Sequence, residues 1–175
     1  MKRSLILLLA IALTILSVGC NRTPTPPRQP VTFYYPVSNP VYDGKTGLIH
    51  SEVRDSTGLN DNMTELINLY LRGPLSEALR SPFPENVTVT RYSTTANTVI
   101  LELSSEFANL SGIDLTLACA CMAHTLLDMT GLERFQISAA DSMLDGMSTI
   151  TMERNDLYMT DTPNLETNDS KSTAD

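Results

Sequence analysis

The stretch NMTELINLYLRGP, residues 62–74, predicts a helix that begins and ends within one short segment. Its apolar residues recur at the spacing i, i+3, i+4, i+7 and i+8, which places them on one face of a helix. Asn62 with Glu65 three residues later is typical of a helix N-terminus, and Gly73-Pro74 is typical of a helix end. The apolar face consists of Met63, Leu66, Ile67, Tyr70 and Leu71.

Strands and one further helix are predicted on both sides of this segment. β-branched or aromatic runs bounded by turn residues predict strands at 31–35, 47–53, 86–92, 98–103, 134–138 and 148–152. An apolar stripe that follows Ser111 and Asp114 and stops at Gly131 predicts a second helix over 113–129. The order β-β-α-β-β-α-β-β predicts an α+β fold, a single two-layer domain whose mixed β-sheet carries two helices on one face.

The first twenty residues have the features of an export signal. Lys2 and Arg3 precede an apolar run, Leu5–Val18, that ends at Gly19-Cys20. At about 1.5 Å per residue this run makes a helix of roughly 21 Å, short for a bilayer core about 30 Å thick. The junction resembles the lipobox of bacterial lipoproteins, which implies a signal peptide over 1–19 and lipid attachment at Cys20. An uncleaved membrane anchor is the alternative.

Composition divides the remaining chain into a spacer, a domain and a tail. Residues 20–30 are expected to hold the lipidated cysteine and a proline-rich spacer, residues 31–159 the domain, and residues 160–175 a disordered acidic tail. Without Lys2 and Arg3, ten basic and twenty acidic residues remain, a net charge of −10. Because phosphate binding depends on Lys and Arg, this chain is a poor candidate for nucleic-acid binding.

Several segments together resemble the GerM-type domain of bacterial sporulation and spore-germination lipoproteins. They are LYLRGP at 69–74, SPFP at 81–84, VILELS at 99–104 with Phe107, and then Ser111-Gly112, Thr125-Leu126, Gly131-Leu132 and Asp145-Gly146. Two mild departures are Glu102, where the family usually has Asp, and Asn97, where a turn glycine is common. The family's fold is similar to ring-building modules of membrane-spanning secretion machines, so the resemblance implies protein–protein association.

The predicted second helix carries candidate residues for catalytic and for metal chemistry. Cys121, His124 and Asp128 fall at i, i+3 and i+7, and a thiol, an imidazole and a carboxylate on one face suggest an activated cysteine. One helix spreads these groups along its axis, and no oxyanion hole is apparent, so we expect no catalytic residues. Zinc needs three or four ligands, and only His50 and a Cys119 pointing away remain, so we expect no metal and no cofactor.

The sequence therefore predicts a non-enzymatic, membrane-anchored extracytoplasmic lipoprotein whose GerM-like domain binds proteins, in sporulation or spore germination. Its expected partners are the lipid membrane, through Cys20, and envelope proteins, with self-association left open and no nucleic acid. Aromatic side chains are candidate interface anchors, with completion of the core as the alternative: Tyr34, Tyr35, Tyr92 and Phe107. The rival function is binding of peptidoglycan fragments or another small envelope molecule. An apolar patch would favour the first function, and a concave site lined with polar groups the second.

Overall fold

The structure is a computed structural model that describes residues 29–41, 47–59 and 62–157. The predicted signal peptide, Cys20, most of the spacer and the predicted tail lie outside the described residues. In chain order the elements are β1 (Pro30–Pro36), β2 (Ile49–Asp55), α1 (Met63–Leu71), β3 (Val89–Thr94), β4 (Thr98–Leu103), a 3-10 helix (Ser105–Asn109), α2 (Gly112–Thr130), β5 (Arg134–Ala139), β6 (Ile150–Glu153) and a second 3-10 helix (Arg154–Asp156). This order confirms the predicted α+β class.

The strands form two sheets. β1 and β2 pair antiparallel, and the other four strands form a mixed sheet in the order β3-β4-β5-β6, in which β4 and β5 are parallel. α2 is the crossover that a parallel pair requires. The sequence predicted one mixed sheet, and the first hairpin instead pairs apart from it. At Tyr34 the outer edge of β1 binds side chains of α1 and α2 in place of a neighbouring strand.

Buried side chains of β4 and β5 form one side of the hydrophobic core. Side chains alternate along both strands, as the half-buried pattern of a strand requires. The predicted core residues Val87, Val99, Leu101 and Leu103 are buried, while Val89 is half-buried. From β5 the buried side chains are Phe135, Ile137 and Ala139.

α2 is buried around most of its circumference. It contacts β1 of the small sheet and also β4, β5 and β6 of the large sheet. Cys119 and Cys121 point in different directions along the helix, yet both are fully buried. Burial of both side chains agrees with the prediction that the two cysteines are packing residues, and the small sheet covers the side of α2 that carries Cys121. Among the described residues, α2 is also the one helix long and apolar enough to span a membrane, but its packing is that of a core helix.

The start of α2 differs in its capping from the prediction. Ser111 is the N-cap residue, but its side chain makes no capping hydrogen bond. The Gly112 N–H instead donates to Asp145 Oδ2 at 2.8 Å, and Asp114 faces Arg80 at 3.9 Å. The predicted end is confirmed, since Gly131 adopts the left-handed conformation with φ 69°.

α1 has the predicted boundaries and is joined to β1 by two tyrosines. Asn62 Oδ1 accepts from the Glu65 N–H at 3.2 Å, which confirms the predicted cap. The Tyr35 hydroxyl donates to the Tyr70 carbonyl at 2.8 Å, and the Tyr70 hydroxyl donates to the Tyr34 carbonyl at 2.6 Å. Burial raises the pKa of both Tyr35 and Tyr70, so both hydroxyls stay protonated and act as donors. Helix and strand are thus joined in both directions.

A buried arginine on β2 caps the C-terminal end of α1. Arg54 Nη2 donates to the Gly73 carbonyl at 2.6 Å and to the Tyr35 hydroxyl at 3.2 Å, and Nη1 donates to the Leu69 carbonyl at 3.4 Å. Its guanidinium carbon lies 5.2 Å from the centre of the Phe33 ring. Carbonyls at a helix C-terminus lack partners within the helix, and this cation binds one of them, at Leu69, together with the Gly73 carbonyl just beyond the helix.

Glu52 neutralises Arg54 and holds the segment that follows α1. Its Oε1 accepts from Arg54 Nε at 2.6 Å, and its Oε2 accepts from the N–H groups of Leu75 at 3.0 Å and Ser76 at 2.8 Å. Burial alone would raise the pKa of Glu52, but the hydrogen bonds from Ser76, Arg54 and Leu75 outweigh it and hold the pKa below its usual range. The carboxylate therefore contributes stability in its ionised form.

We predict that Glu52→Gln lowers the free energy of unfolding at pH 7 and that this loss shrinks in acid. The pKa of Glu52 is depressed in the folded state, so its contribution is complete above the unfolded pKa and disappears as pH falls through the lower, folded pKa. Urea unfolding of both proteins from pH 7 to pH 3 measures the difference. Glu77→Gln, an exposed change in the same loop, is the control. A difference between Glu52→Gln and wild type that stays constant down to pH 3 would contradict the assignment.

Candidate functional site

The structure does not assemble the cysteine, histidine and aspartate of α2 into a reactive group. Cys121 is fully buried, and burial raises the pKa of its thiol, while Arg80 lowers it less. Burial likewise raises the pKa of Cys119 to about 12. A protonated, inaccessible thiol is a poor nucleophile and a poor metal ligand, so both cysteines act as packing residues.

His124 and Asp128 contact residues of other elements and so connect those elements to α2. The His124 ring lies 5.2 Å from the Tyr34 ring, centre to centre. Asp128 Oδ2 accepts from the Tyr34 hydroxyl, and Oδ1 accepts from Arg154 Nη1 at 3.0 Å. The aspartate thus joins β1 and the second 3-10 helix to the end of α2. His50 lies on β2, opposite Tyr35, and within the described ranges no three His, Cys, Asp or Glu side chains are placed to share an ion.

The four candidate aromatic anchors divide into two pairs. Tyr35 and Phe107 are fully buried, so the interpretation of these two as exposed anchors is wrong and they complete the core. Tyr34 and Tyr92 are half-buried. Tyr34 has its hydroxyl on Asp128, which leaves it attached to its own domain rather than projecting from it.

A groove of about 660 Å³ lies beside the first half of β1. We call it the β1 groove. Two methionines, one from each helix, form part of its wall, and Asp128 is its acidic residue. Its lining residues are Gln29, Pro30, Val31, Thr32, Ser56, Met63, Leu66, Asp128 and Met129.

A second candidate is an exposed apolar surface at the N-terminal end of α2. It consists of Ile113, Met143 and Met147, which are 85%, 58% and 48% exposed, and we call it the methionine surface. The hydrogen bond from the Gly112 N–H to Asp145 Oδ2 holds the loop that carries both methionines against the helix that carries Ile113. All three side chains lie within two residues of the pair that this bond joins, and exposed apolar side chains that form a contiguous patch mark interaction sites.

Sequence reasoning did not single out the methionine surface. It did predict the turn at Leu144-Asp145-Gly146-Met147, and the structure confirms it: Leu144 and Met147 exchange backbone hydrogen bonds of 2.8 and 2.9 Å. The sequence feature that could have indicated this surface is the Asp-Gly turn with a methionine on each side. Nothing local indicated that the start of α2 lies beside it, because that contact joins segments more than thirty residues apart.

We predict that Cys119 and Cys121 react with a thiol reagent only after unfolding. Both are inaccessible and protonated at neutral pH, so their labelling in the native state should be slower than in 8 M urea by about 100-fold or more. Peptide mapping by mass spectrometry confines the measurement to these two positions. Rapid modification of Cys121 in the folded protein would contradict its burial and restore the activated-cysteine hypothesis.

Comparison with known proteins places the fold. A structure of the tandem GerMN domains of the sporulation protein GerM from Bacillus subtilis matches with a TM-score of 0.51 and 17% identity, covering 69% of this chain. This chain spans 43% of that structure. The first GerMN domain of the same protein matches with a TM-score of 0.49 and 15% identity, covering 72% of this chain and 99% of that one.

A candidate lipoprotein from Clostridium perfringens matches with a TM-score of 0.46 and 14% identity, covering 73% of this chain and 90% of that one. No curated protein sequence matches. The model of the Germane family, described as "Sporulation and spore germination", matches residues 32–145, which is more than half of the chain and includes both helices. The resemblance inferred from the sequence is confirmed, and the chain belongs to the Germane family.

Proposed function

We propose that this protein is a membrane-anchored extracytoplasmic lipoprotein whose Germane domain binds envelope proteins during sporulation or spore germination. The family's description supports the cellular setting. The leader that ends at Gly19-Cys20 supports export and lipid attachment. The observation that carries the protein-binding role is the methionine surface.

The methionine surface has the properties of a prepared protein-binding site. Ile113 leaves 85% of its side chain in water at the start of a well-packed helix. Burying such side chains on a partner contributes about 25 cal/mol per Å² of apolar area, so burial of these three would favour association. Methionine adapts its shape to different partner surfaces, which suits a recognition site.

The loop that carries the two methionines is conformationally restricted. Asp145 and Gly146 have φ of 47° and 82°, as a tight two-residue turn requires, and the turn is closed by backbone hydrogen bonds on both sides. Because the loop is already ordered, a partner would not have to lose much conformational entropy to bind it. The methionine surface is therefore a better candidate for an interaction site than a mobile loop would be.

The rival function, a receptor for a small envelope molecule, has one observation in its favour. The β1 groove of about 660 Å³ has the size of a ligand site. Its acidic residue, Asp128, is however already engaged by Tyr34 and Arg154, so it is not available to orient a sugar or peptide. The protein-binding function is the better supported of the two.

The combined change of Ile113, Met143 and Met147 to serine is predicted to abolish capture of partner proteins from the membranes of a spore-forming host. Leu75→Ser is the matched control, because Leu75 is 80% exposed but lies after α1, beside Glu52. A photo-crosslinking residue at position 143 should give a discrete adduct that the same residue at position 75 does not. Equal capture by the triple variant and by wild type would contradict the assignment of protein binding to this surface. Tight binding of a peptidoglycan fragment without protein capture would favour the receptor function instead.

Cys20→Ala is predicted to remove the lipid from the chain. A thioether-linked diacylglyceryl group supplies two chains, which suffice for stable anchoring, whereas the acidic domain has no attraction for an anionic surface. Labelling with radioactive palmitate and partition into the detergent phase of Triton X-114 measure the effect, with Cys119→Ala as the control. Undiminished palmitate labelling of Cys20→Ala would rule out lipid attachment at this position.

A further inference from the structure

Three exposed carboxylates lie within two residues, in sequence, of the apolar side chains of the methionine surface. They belong to Asp114, Asp141 and Asp145. Asp114 directly follows Ile113, and Asp145 lies between the two methionines. The bond of 2.8 Å from the Gly112 N–H to Asp145 Oδ2 holds the loop at the same end of α2 as Asp114. Acidic groups from both segments therefore border the apolar patch.

Few positive charges offset these carboxylates. The chain has no lysine or arginine over residues 92–133 and 135–153, which include α2 and the methionine loop. Among the described residues, one cation pairs with any of the three carboxylates: Arg80 Nη2 lies 3.9 Å from Asp114 Oδ1, and both side chains are largely exposed. Such an exposed pair is weak. The N-terminus of α2 adds only about half a positive charge, so the surface remains negative.

The backbone at the turn of this surface is already hydrogen-bonded. Leu144 and Met147 exchange their N–H and carbonyl groups, and the Gly112 N–H is bonded to Asp145. A segment that docks here receives no hydrogen bonds from these groups, so it must satisfy its own backbone. A helix satisfies its backbone internally, whereas an extended strand requires a free strand edge. The surface therefore suits a helix better than a strand.

We propose that the segment bound at the methionine surface is a basic amphipathic helix of a partner protein. Its apolar stripe packs on the three exposed apolar side chains, and its lysine or arginine side chains lie beside the three carboxylates. The inference rests on the protein-binding function proposed above and specifies the chemistry of the partner. Charge complementarity of this kind speeds association and disfavours partners of the wrong charge.

A second copy of the chain is a poor occupant of this surface. A two-fold interface would place the methionine surface against itself and bring the same carboxylates of both copies together. The chain as a whole carries a net charge of −8, and like charges brought together oppose association. An anionic lipid surface is disfavoured for the same reason. A basic helix adds the opposite charge instead.

Methionine methyl NMR of the full chain in phosphatidylcholine nanodiscs tests the proposal. The probe is a synthetic amphipathic peptide of leucine and lysine, and its control carries glutamate in place of every lysine. The lysine peptide should shift the methyl signals of Met143 and Met147 and leave that of the buried Met122 unchanged. It should bind about tenfold or more tightly than the glutamate peptide, and added salt should reduce this advantage because the charges are exposed.

A pair of charge variants localises the effect to this surface. Asp114→Asn combined with Asp141→Asn removes two carboxylates but keeps Asp145, which holds the loop, and should weaken binding of the lysine peptide about fivefold. Glu65→Gln combined with Glu133→Gln removes the same charge from exposed positions. These two lie towards the other end of α2, beside the β1 groove and Arg154, and should change the affinity less than about 1.5-fold.

Three results would overturn the proposal. The first is equal binding of the lysine and glutamate peptides, or no methyl shift with the lysine peptide. The second is equal weakening in both charge variants, which would assign the attraction to net charge rather than to this surface. The third is a crosslink from position 143 to a second copy of the chain. Protein capture by the triple serine variant tests the protein-binding function separately, so the two failures are distinguishable.

Discussion

The buried guanidinium of Arg54 is the interaction on which the rest of this structure depends. It bonds the carbonyls at the end of α1, the Tyr35 hydroxyl of β1 and the Glu52 carboxylate, and it lies against the Phe33 ring. A planar cation with five donors can satisfy groups in several directions at once, and a lysine cannot. The hairpin is separate from the large sheet, so its position relative to α1 is determined by this cluster and by the reciprocal tyrosine bonds. That position in turn puts β1 against α2.

The contact between β1 and α2 determines where the two candidate surfaces lie. Thr125 and Asp128 bind Tyr34 through its N–H and its hydroxyl, which covers the middle of β1 and leaves Thr32 beside the groove. The methionine surface begins at Ile113, at the other end of the helix. With about 1.5 Å of rise per residue, roughly 22 Å of helix separates Ile113 from Asp128. The two candidate surfaces therefore lie at opposite ends of α2.

The sequence predicted those features that depend on neighbouring residues. The helix at 63–71 carried its apolar period and its cap within thirteen residues, and the turn at Asp145-Gly146 required only local chemistry. Features that depend on distant partners were missed. In the sequence, Arg54 and Glu52 are two charged residues two positions apart. Nothing local indicates that the C-terminal end of α1 packs against them. The small sheet that covers Cys121 could not be predicted either, because the apolar period of one helix does not reveal a second covering layer. For Cys20 the sequence remains the source of the prediction, since it lies outside the described residues.

The most direct test of the central claim is the free energy of unfolding of Arg54→Lys, measured by urea titration at pH 7. The substitution keeps the charge but loses the fork geometry, leaving buried carbonyl and hydroxyl groups without donors. The account predicts a loss of about 2–4 kcal/mol, whereas Arg91→Lys, in the exposed pair with Glu102, should cost less than about 0.5 kcal/mol. Equal effects of the two substitutions would contradict the claim that Arg54 holds the hairpin to α1.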